Sequence, residues 1–70
     1  MDGNKNSVKV LYKNWEGITA IRNIIPLKIW YGKTQWHKTS QWLIKVYDID
    51  KKAERDYAMK DIIEWDTKSN

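Results

Sequence analysis

Seventy residues without a cysteine, carrying a net charge of +4, make one small domain and exclude a second core. They also exclude disulfides, thiolate nucleophiles and cysteine-based zinc sites. No stretch approaches the roughly 20 apolar residues needed to span a bilayer. A soluble chain is therefore expected, and, because small secreted domains usually depend on disulfides, a cytoplasmic one.

Residues 1–7 are polar, lack the apolar run of a signal peptide and are expected to form a flexible end. Val8-Lys-Val-Leu-Tyr-Lys13 alternates Val8, Val10 and Tyr12 against lysines, which predicts a strand with one wet face. Asn14-Trp-Glu-Gly17 supplies turn residues, Gly17 being free to adopt a positive φ. Ile18 to Ile25 is β-branched enough for a second strand. Pro26 cannot donate to a ladder and belongs at a strand junction or on an edge. Leu27 to Tyr31 resumes the alternation, and Gly32 to Gln41 reads as a polar loop carrying Trp36 and His37.

Trp42-Leu-Ile-Lys-Val-Tyr-Asp48 is the strongest strand, with Trp42, Ile44 and Val46 on one face, so Trp42 is assigned to the core. Asp48 to Lys52 predicts a hairpin turn, with Asp48, Asp50, Glu54 and Asp56 forming a solvated acidic end. Lys52 to Trp65 is ambiguous. Its helix formers and the spacing of Ala53, Tyr57, Ile62 and Trp65 fit an amphipathic helix, whereas Ala53 to Ala58 also fits the return strand of a hairpin. Residues 66–70 form a second polar end, expected to be flexible, which leaves 8–65 as the single domain.

The order of Tyr12, Gly17, Arg22, Pro26-Leu27, Trp42-Leu-Ile-Lys-Val-Tyr-Asp48, Arg55-Asp-Tyr57 and Ile62 resembles the bacterial WYL domain over roughly residues 8–64. The resemblance implies an all-β fold, a small five-stranded SH3-like or Sm-like barrel. It favours the strand reading of Ala53–Ala58, followed by a short helical turn near Met59–Ile62. It also implies a ligand-sensing or regulatory module of transcription factors, binding nucleotides or nucleic acid through basic residues beside an aromatic strand. Three departures stand out. The name-giving triplet is Trp42-Leu43-Ile44, without the middle Tyr ring (or Gln41-Trp42-Leu43 in an alternative register). Asp61 stands where the family often has an Arg before the final Ile. The helix-turn-helix that usually precedes such domains is not in this sequence.

Arg22 and Arg55 are the only arginines, and both fall at basic positions of the family pattern. Paired guanidinium groups can grip a phosphate, or each can pair with Asp48, Glu54 or Asp56 as a weak surface bridge. All nine aromatic residues are Trp or Tyr, rings that either fill a core from its rim or stack on a flat ligand. Candidate binding residues are Arg22, Arg55 and Lys45 for charge, and Tyr12, Trp30 and Tyr31 for stacking. Strand alternation sends one of Trp30 and Tyr31 inward, and the outward ring either stacks on a ligand or covers a second small cluster. Trp15 in a turn and Trp36 in a loop are candidates for an exposed surface.

His37 has no second His or Cys to complete a metal site, and its neighbours Thr34, Thr39 and Ser40 do not make a triad. It is expected to be a solvated loop residue. The expectation is thus a non-catalytic binding module with no cofactor and no metal, whose partner is a nucleotide or single-stranded nucleic acid. The alternative is a protein-interaction or homodimerisation module using edge strands and exposed Trp15, Trp36 or Trp65.

Overall fold

The computed structural model describes residues 6–66; most of the two ends expected to be flexible falls outside the described residues. The all-β expectation holds. Five strands, β1 (Val8–Lys13), β2 (Thr19–Gly32), β3 (Gln41–Asp48), β4 (Ala53–Ala58) and β5 (Ile62–Trp65), form one antiparallel sheet in the order β4-β3-β2-β1-β5. A three-residue 3-10 turn, Met59–Asp61, joins β4 to β5. The ambiguous C-terminal segment is therefore strand, turn and strand, because cross-strand pairing with β3 and β1 outweighs its helix propensity. Among the described residues no helix is long and apolar enough to cross a membrane.

The two strands expected on either side of Pro26 are one. β2 runs for 14 residues, pairing with β1 through Thr19–Ile24 on one edge and with β3 through Ile24–Gly32 on the other. Only Ile24 is laddered on both sides. Pro26 is accommodated because β1 has already ended there and the register shifts between Pro26 and Lys28, the one-sided, bulged setting that a residue without an N–H requires. The register shift between Pro26 and Lys28 is a bulge of the kind that bends a strand.

That bend curls the whole sheet. β4 and β5 are its two edges and would lie about 19 Å apart if it were flat, whereas the three residues of a 3-10 turn advance only about 6 Å. The concave face carries Val8, Val10 and Tyr12 from β1, Ile24 from β2, Ile44 and Val46 from β3 and Tyr57 from β4, closed by Met59 and Ile62. Ile24, Val10 and Val46 are fully buried. Leu43 is fully buried too, but on the convex face, cross-strand from half-buried Trp30 and from Ala58. Of the two alternatives for the outward ring, Trp30 fits the second, covering a small outer cluster.

Trp42 corrects the sequence reading. It shares the face of Ile44 and Val46, but it is 58% exposed. The ladder with β4 ends at Leu43–Ala58, so Trp42 projects beyond the core on the free end of the β2–β3 hairpin. There it meets its cross-strand partner Tyr31 edge to face, with centroids 5.3 Å apart.

Candidate functional site

Two capped turns build one wall of a cleft. Between β1 and β2, Asn14 Oδ1 accepts the amide protons of Glu16 and Ile18, each at 2.9 Å, and Gly17 takes a φ of +85°. This is the Asx-type turn that Asn and Gly favour, and it holds Trp15 at the surface. Between β2 and β3, Thr34 Oγ1 accepts the amides of Trp36 and His37 at 3.1 and 3.0 Å, while the Thr34 amide donates to the His37 carbonyl at 2.9 Å. That turn presents Trp36. The two indoles stack with centroids 5.0 Å apart and planes 23° from parallel, although 59% of Trp15 and 56% of Trp36 remain exposed.

The floor is a second aromatic stack. Tyr12 and Tyr57 lie 3.9 Å apart, centroid to centroid, with planes 9° from parallel. The Tyr12 hydroxyl oxygen accepts the Ala58 amide at 3.3 Å, and the Tyr57 hydroxyl donates to Asp48 Oδ2 at 3.0 Å. Burial pushes the Tyr12 pKa up, and the negative charge of Asp61 adds to this, partly offset by the Ala58 amide and by Arg22. Burial likewise raises Tyr57 well above the usual tyrosine value, reinforced by the charge and hydrogen bond of Asp48 and opposed by Arg22. Asp48 is only 2% exposed. It caps the β3–β4 turn through Oδ1 and the Lys51 amide at 3.0 Å, and its carbonyl takes the Lys52 amide at 2.7 Å. The acidic hairpin end expected to be solvated is thus partly inside: Asp48 is consumed by the turn and Tyr57, and Asp56 binds groups on the convex face.

Arg22 and Arg55 line the same cleft as both ring pairs, and its volume is about 570 Å³. Arg22 pairs in register with Val10 and Arg55 with Val46, so alternation places both on the concave face. Arg22 is half-buried and close enough to influence both tyrosines. Neither arginine forms an ion pair with a carboxylate among the described residues; Arg55 Nη1 donates to the Glu54 carbonyl at 3.1 Å. The surface bridges to Asp48, Glu54 or Asp56 weighed as the alternative are absent from the described residues. Glu54 and Asp56 alternate with Arg55 along β4, yet both border the cleft, as do Glu16 and Asp48.

Of the six candidate binding residues, the cleft gathers Arg22, Arg55 and Tyr12. The other three stand elsewhere. Lys45 and Trp30 belong to the convex face, where Asp56 Oδ1 accepts the Trp30 indole N–H at 3.0 Å and lies 3.6 Å from Lys45 Nζ. Tyr31 is exposed on the hairpin end with Trp42, its hydroxyl 3.4 Å from the Ser40 carbonyl. Tyr57 was missed as a lining residue because its strand or helix assignment was open. Trp15 and Trp36 were singled out as surface rings, but no local pattern joins positions 21 residues apart.

His37 also departs from expectation. It is buried to 9% exposure and lines the cleft instead of lying in solvent, because the Thr34 turn folds its backbone inward. Thr34 Oγ1 is occupied by the two amides of that turn. No group of three His, Asp or Glu side chains among the described residues is placed to hold a metal ion. No protein-family model, curated protein or solved structure matches the chain.

Proposed function

We propose that this chain is a non-catalytic binding module whose cleft takes a ligand combining a planar base with a phosphate, a nucleotide or a single-stranded nucleic acid. One observation carries the reading: Arg22, a half-buried guanidinium on the concave face, has no carboxylate partner among the described residues and lines a cleft with exposed stacked indoles. A half-buried guanidinium without an ion-pair partner favours an incoming anion, which would enter a cleft that Glu16, Asp48, Glu54 and Asp56 also line. Arg55 adds a second cation on the same face, and indole faces bind bases of any sequence.

The strand order, the curl of the sheet and the three-residue link between its edges support the finer architecture, a five-stranded SH3-like barrel. They are also consistent with the WYL-like reading of the landmarks. In that reading the module senses its ligand on behalf of a bacterial transcription regulator in the cytoplasm.

The test is a chemical-shift map of the full chain with nucleoside monophosphates and short single-stranded oligonucleotides. Binding is expected to perturb the amides of Trp15, Arg22, Trp36 and Arg55, to weaken steeply with salt, and to lose part of that salt dependence in Arg55→Ala and Arg22→Gln. No perturbation at millimolar nucleotide or oligonucleotide rejects the reading.

A second reading has its own observation. Ile29, Tyr31 and Trp42 are all exposed on one face of the free β2–β3 hairpin end, and apolar surface of this kind serves protein association. Sedimentation that stays monomeric across a wide concentration range removes self-association through this face.

A further inference from the structure

We infer that Trp15 and Trp36 are a closed base clamp: the pair parts to take one nucleobase between the two indoles, with the attached phosphate directed to Arg22 and Arg55. The inference rests on the function proposed above and names the unit recognised, a single nucleotide held on both faces of its base.

The indoles come from different turns, each locked by a side-chain oxygen, Asn14 Oδ1 in one and Thr34 Oγ1 in the other. Their backbone anchors are thus fixed while the side chains remain at the surface. More than half of each tryptophan is exposed, so the pair is not locked into a core. The stacked faces are the part hidden from water, at a centroid separation of 5.0 Å. A ring inserted with normal contact on both sides needs the indole planes about 7 Å apart. Stacked rings in contact have planes about 3.5 Å apart, the 5.0 Å between centroids including lateral offset and tilt, so the opening required is about 3.5 Å, one ring thickness.

Parting the pair exposes two apolar faces, and a flat ring of similar size covers both again. An aliphatic or purely anionic ligand leaves them wet. The cleft behind the pair holds the two arginines and has a volume of about 570 Å³, within the general range of sites for small ligands, about 300–1,000 Å³. It therefore suits one nucleotide unit, free or as one residue of a strand. Because every base has a π-face, such a clamp tolerates any base.

The experiment titrates the full chain and its Trp15→Ala, Trp36→Ala and Trp36→Tyr variants with adenosine monophosphate, ribose 5-phosphate and a short oligodeoxyadenylate, read by NMR. Thermal melts first establish that each variant is folded, and Trp15→Leu replaces Trp15→Ala if that variant is not. Each loss of an indole is expected to weaken adenosine monophosphate about tenfold or more and to leave ribose 5-phosphate unchanged. Trp36→Tyr should recover part of the loss, and the base protons should move upfield in the wild type and less so in Trp36→Tyr. Oligonucleotide affinity well above that of the mononucleotide identifies the strand as the source of the nucleotide, and equal affinity identifies the free nucleotide. If adenosine monophosphate binding survives both indole losses, or depends on one indole alone, while Arg22→Gln still weakens it, the clamp is overturned and the binding function stands. If the wild type binds none of the probes, both fall together.

Discussion

Tyr12 of β1 and Tyr57 of β4 stack with ring centroids 3.9 Å apart, although two strands lie between β1 and β4 in the sheet. A flat sheet would hold those strands about 14 Å apart. The stack exists because the sheet curls, and it in turn pins β4 over β1 at the floor of the cleft.

Removing either ring should therefore open the concave face. Tyr57→Ala is expected to cost about 3–5 kcal/mol, a large share of the stability of so small a domain. Tyr57→Phe keeps the stack but leaves the buried Asp48 carboxylate without its hydroxyl donor, at about 1–3 kcal/mol. Urea denaturation of the three proteins ranks them; equal midpoints for wild type and Tyr57→Phe would show that the Asp48 bond contributes nothing.

Both tyrosines hold their protons more tightly in the folded chain than at the ordinary value of 10.0. Below that value both states carry the proton and stability is unaffected by these groups. Above it the unfolded chain ionises first, so stability falls as pH rises from about 10 towards the raised folded values. Denaturation midpoints at pH 8, 10 and 11 should decline only over the upper interval. A flat profile through pH 11 contradicts the burial of these hydroxyls.

Gly32 and Gly17 separate two uses of glycine. A methyl group at Gly32 would sit 2.5 Å from Trp30 Cζ3, so Gly32→Ala should push Trp30 off its place opposite Leu43 and strain its bond to Asp56, at about 1–3 kcal/mol. At Gly17 nothing lies within 4 Å of such a methyl, and only the φ of +85° resists it. Gly17→Ala should cost about 1–2 kcal/mol without moving Trp30. The indole N–H resonance of Trp30 distinguishes the two variants.

Trp42→Ala should change stability by less than about 1.5 kcal/mol, the worth of its edge contact with Tyr31, since the residue is mainly exposed. Leu43→Ala, one position along, should cost about 2–5 kcal/mol. Thermal unfolding of the pair tests the facing of the β2–β3 hairpin, and a larger loss at Trp42 would reverse it.

The contrast between those neighbours shows where sequence reasoning stops. Alternation located β1 and β3 and put Ile44 and Val46 on one face, because period-two burial is a local property of a strand, whereas β4 rested on the family resemblance. Alternation could not say that β4 ends opposite Leu43, at Ala58, and so it placed Trp42 in the core. Pro26 looked like a break because a missing N–H matters only where a neighbouring strand needs it, and β1 has already ended there. At the site, Arg22, Arg55 and Tyr12 were legible as types and positions. The meeting of Trp15 with Trp36 was not, since it depends on the bend of β2, which no stretch of residues encodes alone.

The double ladder at Ile24 has a kinetic consequence. The β1–β2, β2–β3 and β3–β4 pairings are all hairpins between strands adjacent in sequence, closing short loops, whereas β5 must return across most of the chain to reach β1. Closing that distant contact carries the larger entropic barrier, so β5 should dock after the hairpins have formed. Ile62→Ala is then expected to speed unfolding with little effect on the folding rate, a φ-value near zero, while Ile44→Ala slows folding. A high φ-value at Ile62 would place docking of β5 in the nucleus instead. With docking last, the cleft floor is completed only at the end of folding, because Tyr12 acquires its neighbour Ile62 in the same step.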